Sequence, residues 1–142
     1  MEENINALDE INKGACMGVD ALDFVMNKVD DHDLLSVLEE QYKDYKKISR
    51  KINKIYNEYD CGEPQKTSTM NKVMTWSGVE METMFDKSNS NIAEFVLRGV
   101  NMGIIEGRKI LNKKCIDAKV EDLVSEYVRM QEHNVEVLKQ YL

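Results

Sequence analysis

The residues of this 142-residue chain that could hold a pair of iron or manganese ions are its carboxylates and its two histidines. Helical bundles that bind two iron or manganese ions carry one Glu on each of two helices and Glu-x-x-His on each of the other two. His133 has Met130, not Glu, three positions before it. Glu39 has Tyr42, not His, three positions after it. We therefore expect no paired metal centre and no cofactor, and a single ion would have only a reduced set of candidate ligands, Asp20, Glu106 and Glu132.

Several polar residues fall on the predicted inner faces of helices. In coiled coils, a buried Asn uses its hydrogen bonds to fix the register of the helices. We interpret the polar residues here in the same way, as a hydrogen-bonded layer inside a bundle. A degenerate metal site and a small-ligand pocket are the alternatives. The layer comprises Asn12, Gln41, Tyr42, Glu106 and Gln131.

Glycines recur at four-residue spacing in two of the predicted helices. Residues 14–19 and 99–104 both read G-x-x-M-G followed by a β-branched residue. A glycine inside a helix costs about 1 kcal/mol relative to alanine, so the repetition needs a reason. Close packing against another helix is the preferred explanation, and a gap for a ligand or a dimer contact is the alternative. The glycines are Gly14, Gly18, Gly99, Gly103 and Gly107.

Apolar residues recur in steps of three and four along most of the chain, which is typical of amphipathic helices. We see no convincing strand pattern, and the chain has one proline. The predicted class is all-α, in a single domain over residues 1–142. Residues 30–33 and Asp117 supply capping oxygens, and Asn91 with Glu94 resembles a capping box. The predicted helices span about 5–29, 34–59, 67–85, 91–112 and 118–142.

The helix lengths predict how the chain is connected. The first and second pairs of long helices have related patterns, so we expect two helical hairpins. An up-down bundle would need residues 67–112 as one helix of roughly 69 Å, which is too long beside its neighbours. A helical crossover over residues 67–85 spans roughly 28 Å and would join the hairpins instead. This predicts an antiparallel four-helix bundle.

Charge and hydropathy exclude several classes of function. The formal net charge is −7, whereas a protein that coats nucleic acid needs basic surfaces to neutralise phosphates. No apolar run approaches the 18 or so residues of a membrane helix. The first residues do not resemble a signal peptide. The three cysteines have no metal-like spacing and suggest a reducing compartment, so we expect a cytoplasmic protein that binds neither nucleic acid nor membrane.

Six segments distributed over nearly the whole chain carry a family resemblance: residues 13–14, 17–22, 41–42, 92–94, 99–106 and 138–142. Together they resemble a bacterial branch of the ferritin-like superfamily that is found in anaerobes. The resemblance implies the ferritin-like bundle fold and a cytoplasmic setting, and it implies no activity. We therefore expect a non-catalytic bundle that acts through protein association, as a homo-oligomer and specifically a dimer. The alternative is a metal-binding protein of the same fold.

Overall fold

A computed structural model describes residues 1–59 and 87–142 of the chain, and four α-helices account for most of them. The described residues include no strand, which confirms the all-α class for this part of the chain. The predicted helix over residues 67–85 lies outside the described residues. The helices are α1 (Glu2–Met26), α2 (His32–Glu58), α3 (Asn89–Lys113) and α4 (Ala118–Lys139).

The four helices share one apolar core, because each carries a stripe of buried aliphatic residues at helical spacing. Burial of each large side chain in such a stripe contributes about 1.5–3 kcal/mol. None of the helices in the described ranges is long and apolar enough to cross a bilayer. Representative core residues are Leu8 and Leu22 of α1, Leu38 and Ile52 of α2, Ile92 and Val100 of α3, and Val124 and Leu138 of α4.

Hydrogen bonds join three helix termini at one end of the molecule. The Tyr59 hydroxyl, directly after α2, donates to Oδ2 of Asp117 at 2.8 Å. The backbone N–H of Asp117, at the start of α4, donates to Oδ1 of Asn4 in α1 at 2.7 Å. Lys119 also donates to Glu58 across the same end. The start of α1, the end of α2 and the start of α4 therefore lie together.

Asp31 organises the opposite end. Its Oδ1 accepts the backbone N–H of Leu34 at 2.9 Å and so caps α2. Its Oδ2 accepts from Nδ2 of Asn89, the first residue of α3, at 3.1 Å. Because both helices begin at this carboxylate, α2 and α3 start at the same end of the molecule.

The helix boundaries differ locally from the predicted ones. α1 begins at Glu2, and the two acidic residues of its first turn stabilise the helix by interacting with the positive end of its dipole. It ends at Met26, and Val29 reaches the core from the turn that follows. Ser88, not Asn91, caps α3, since its hydroxyl accepts the Asn91 N–H at 3.2 Å. Asp117 occupies the cap position of α4, but its side chain makes no cap bond and accepts the Tyr59 hydroxyl instead.

The bond between Asn4 and Asp117 predicts a difference between two asparagines of α1. Asn4 is buried and accepts the Asp117 N–H, whereas Asn6 is exposed. Asn4→Ala should lower the free energy of unfolding by about 1–3 kcal/mol, because it leaves a polar group without its partner. Asn6→Ala is the matched control and should change it far less. Urea unfolding measures both, and equal losses would contradict the assignment.

Candidate functional site

A hydrogen-bonded chain of three buried side chains connects α2 and α4 near the centre of the molecule. The Tyr45 hydroxyl donates to Oε1 of Gln131 at 2.7 Å. Nε2 of Gln131 donates to the Tyr127 hydroxyl at 3.1 Å. All three residues are buried. We refer to them as the Tyr45–Gln131–Tyr127 network.

The two phenols of this network are neutral at ordinary pH. Burial, reinforced by Tyr127, raises the pKa of Tyr45 far above its usual value, although the bond to Gln131 opposes the shift. Burial likewise raises the pKa of Tyr127 to about 12. Neither group therefore supplies a phenolate near neutral pH. The network offers hydrogen bonds and shape, not a charged nucleophile or base.

The glycines of α1 and α3 leave room for the tyrosines. A Cβ atom built on Gly14 would overlap the Tyr127 hydroxyl, and one on Gly18 would lie 2.5 Å from Cζ of Tyr45. A Cβ on Gly103 would lie 2.7 Å from the Tyr127 hydroxyl and 2.6 Å from Nε2 of Gln131. The glycine stripes therefore permit aromatic rings from α2 and α4 to approach the backbones of α1 and α3.

Gly107 and Gly99 occupy different surroundings on α3. A Cβ on Gly107 would collide with Cγ2 of Val128, so this glycine lets α4 approach α3. Gly99 is half-buried and lines a pocket between α1 and α3.

This pocket has a volume of about 210 Å³, and we call it the α1–α3 pocket. A dry cavity of about 150 Å³ can hold benzene, so this pocket has room for a large apolar side chain or a single ring. Its lining is mainly apolar, with charged side chains at its edges. The lining includes Gly14, Met17, Met102, Gly103, Glu106 and Tyr127.

Three of the five residues expected in the polar layer are buried. Asn12, Gln41 and Gln131 are buried. Tyr42 is half-buried, with the Lys46 ammonium 5.4 Å from its ring centroid. Glu106 is exposed and accepts from Lys109 at 3.3 Å, so it lies outside the buried layer. Position 106 falls on the pocket edge, because α3 turns its glycines and not this carboxylate toward the core.

Two residues of the buried layer do not belong to the sequence-based set. Tyr127 precedes Gln131 by four positions and Asn134 follows it by three, so all three share one face of α4. This spacing was the available signal. Valines beside these residues form an apolar stripe of their own. The buried face of α4 includes residues of both the polar and the apolar stripe.

The candidate metal ligands do not form a group. Glu106 pairs with Lys109, and Glu132 accepts from Arg108 at 2.8 Å. Asp20 lies on α1, with one carboxylate oxygen buried and without a hydrogen bond. Within residues 1–59 and 87–142, no three His, Cys, Asp or Glu side chains are arranged to hold an ion.

No protein-family model, curated protein or solved structure matches this chain.

Asp20 makes stability depend on pH. Burial and the neighbouring Asp23 raise its pKa to about 6, and Lys46 only partly opposes them. Between about pH 4 and 6 the folded chain keeps a proton that the unfolded chain releases, so the free energy of unfolding falls as pH rises through this window. Asp20→Asn should therefore raise the Tm near neutral pH and have little effect below about pH 4. Asp30→Asn, in the exposed turn, is the control, and the same pH dependence in both variants would contradict the assignment.

The contact between Gly14 and the Tyr127 hydroxyl is testable by a double-mutant cycle. Gly14→Ala should destabilise the protein by about 1–3 kcal/mol, because the new methyl group meets that oxygen. In a Tyr127→Phe background the oxygen is gone, so the same substitution should cost much less or should stabilise α1 through the better helix propensity of alanine. Equal effects of Gly14→Ala in the two backgrounds, measured by urea unfolding, would rule out the contact.

Proposed function

We propose that this protein is a ferritin-like antiparallel four-helix bundle that acts without catalysis, by associating with a second copy of itself through the α1–α3 pocket. The proposed setting is the cytoplasm, where the free thiols of Cys16 and Cys115 would stay reduced.

The contacts at the two ends of the molecule support the ferritin-like arrangement. Asp31 meets both the start of α2 and the start of α3, and Tyr59 meets the start of α4. Two hairpins in which the second and third helices point the same way are the arrangement of ferritin-like bundles, which need one long crossover. An up-down bundle would have placed the start of α3 beside the end of α2.

The observation that carries the association is the pairing of a pocket with an exposed apolar ridge on one face. Met102 is 43% exposed and Ile105 is 53% exposed, and they are adjacent on the surface of α3. Met102 also lines the α1–α3 pocket. Removing such surface from water stabilises by about 25 cal/mol per Å² of apolar area. A second molecule that covers this face gains from both features at once.

A second copy of the chain fits because pocket and ridge lie on the same face. A twofold dimer interface is self-complementary, so a residue of each copy contacts the same patch of the other. The Met102 side chain is unbranched and flexible and can fill an irregular pocket. Lys13 and Glu106 line the pocket with opposite charges, and each is paired within the chain, with Glu10 and Lys109. Exposed pairs of this kind contribute little, so an exchange of partners across the axis would cost little. The helices α1 and α3 are each about 37 Å long, long enough for an interface of about 1,200–2,000 Å².

The chemistry of the buried network favours association over catalysis. The hydroxyl of Tyr45 and the amide of Gln131 satisfy one another, and both phenols keep their protons near neutral pH. A general acid or base works best when its pKa is near the operating pH. These tyrosines are therefore better suited to shaping the pocket than to moving protons.

The association is testable by sedimentation over a micromolar-to-millimolar concentration series. The wild type should form a dimer, and Met102→Asp should raise its dissociation constant about 100-fold or more, since each interface then buries two unpaired charges. Ile105→Asp should have a smaller effect in the same direction. Leu142→Asp is the control, because Leu142 is 59% exposed at the far C-terminus.

Circular dichroism of each variant separates loss of association from loss of folding. Met102 and Ile105 are exposed in the single chain, so the helical signal should be unchanged. A wild type that sediments as a monomer throughout the series would refute the proposed function. So would a dimer whose dissociation constant responds equally to Met102→Asp and Leu142→Asp.

A further inference from the structure

A groove between α2 and α4 contains buried amide groups without hydrogen-bond partners. Gln41 is 3% exposed and Asn134 is 2% exposed. Neither Nε2 nor Oε1 of Gln41, nor Nδ2 of Asn134, has a partner among the described residues. Both side chains line the same groove, whose volume is about 300 Å³. We call it the α2–α4 groove.

The rest of the contact between α2 and α4 is well paired. One turn further along, Tyr45 bonds to Gln131, and beyond it Lys51 pairs with Glu126. Along the contact between α2 and α4, the buried groups without partners therefore lie in the groove, and the other two among the described residues, Asp9 and Asp20, are on α1. Each buried polar group without a partner costs about 1–3 kcal/mol, and apolar residues of similar size would avoid this cost. A bound molecule that completes the hydrogen bonds accounts for the two amides.

The unpartnered atoms define the chemistry of that molecule. They are two donor groups, the amides of Gln41 and Asn134, and one acceptor, Oε1 of Gln41. The complementary edge has two acceptors and one donor. An imide has this composition, with an N–H between two carbonyl groups, and uracil-type bases carry it on a planar ring.

The groove also fits such a ring in size and charge. A cavity of about 150 Å³ holds a six-membered ring, and this groove is larger. Val37 and Val137 provide apolar surface for the ring faces. Four polar side chains complete the lining, and the exposed Glu40 among them is paired with Lys43 at 3.6 Å. Burial and Glu40 raise the pKa of the Asp44 carboxyl, and Lys47 and His133 only partly oppose the shift. A neutral ligand adds no further charge beside this carboxyl. The polar lining residues are Ser36, Glu40, Asp44 and His133.

We propose that the α2–α4 groove binds a small neutral molecule with an imide edge, of the class of uracil-type bases. Oε1 of Gln41 accepts the imide N–H. Nε2 of Gln41 and Nδ2 of Asn134 donate to the two imide carbonyl oxygens. The three amide atoms are almost closed to solvent, so the proposal requires the side chains of both Gln41 and Asn134 to turn toward the groove as the ligand enters. This site is separate from the α1–α3 pocket and does not depend on the proposed association.

Two isomeric probes test the imide edge. In 1-methyluracil the imide N–H is intact, whereas in 3-methyluracil a methyl group replaces its hydrogen. Titration of the full-length protein followed by ¹⁵N NMR should show saturable shifts of the side-chain NH₂ signals of Gln41 and Asn134 with 1-methyluracil. Isothermal titration calorimetry should find 3-methyluracil weaker by about tenfold or more, since it leaves the Gln41 acceptor unpaired.

Substitutions of the two groove amides provide a second test of the proposed site. Gln41→Met and Asn134→Leu keep the approximate size and remove the amides, so each should abolish binding of 1-methyluracil while raising the Tm. Gln140→Met is the control, because Gln140 is exposed and lies outside the groove, and it should bind as the wild type does. Ile105→Asp should also bind normally, so that failure of association and failure of this site remain distinguishable.

The results that would overturn the proposal are equally definite. Absence of NMR shifts with 1-methyluracil, in a protein whose Gln41→Met variant is folded and more stable, would mean that only water satisfies the amides. Equal binding of the two methyluracils would exclude the imide edge. Unchanged binding in both Gln41→Met and Asn134→Leu would place the probe elsewhere.

Discussion

The arrangement of this molecule depends on fitting the Tyr127 side chain between the backbones of two helices. Its hydroxyl lies where a Cβ atom of Gly14 or Gly103 would be, and the Gln131 amide donates to it. Because protein interiors are close-packed, a side chain of this size can reach the centre only where its neighbours lack one. Tyr45 uses Gly18 in the same way. The glycines and the tyrosines are therefore one feature, contributed by all four helices.

This constraint gives the two opposite contact regions of the bundle different characters. Between α1 and α3, the glycines leave an apolar pocket beside exposed Met102 and Ile105. Between α2 and α4, three polar or charged pairs follow one another, Tyr45 with Gln131, Lys51 with Glu126 and Glu58 with Lys119, and the α2–α4 groove lies beyond Tyr45. An apolar face is suited to another protein surface, which gains by excluding water. A polar groove with unpaired amides is suited to a ligand chosen by its hydrogen bonds, because specificity comes from leaving such groups unpaired with the wrong molecule.

The sequence pattern was informative wherever one helix decides the outcome. The period of apolar residues located all four described helices, and Asp31 in the predicted capping segment does cap α2. The sequence patterns were less informative about helix ends, where a capping side chain can bond to another helix instead. Asp117 carries a good capping side chain, yet its carboxylate accepts the Tyr59 hydroxyl from another helix. At α3 the competition is local, because Ser88, three residues before Asn91, is the residue that caps the helix.

The sequence by itself determined that the described chain is helical, which face of each helix is mostly apolar, and that the spaced glycines need a close neighbour. These properties follow from spacing along a single helix, which is readable without knowing what lies opposite. Only the tertiary structure decided that the neighbours of those glycines are Tyr127 and Tyr45, and that Glu106 is exposed. It also decided that the Gln41 amide and Nδ2 of Asn134 have no hydrogen-bond partner among the described residues. Each of these depends on the rotation of one helix against another. A rotation by a single residue position, about 100°, moves a side chain from the core to the surface without changing the pattern along the chain.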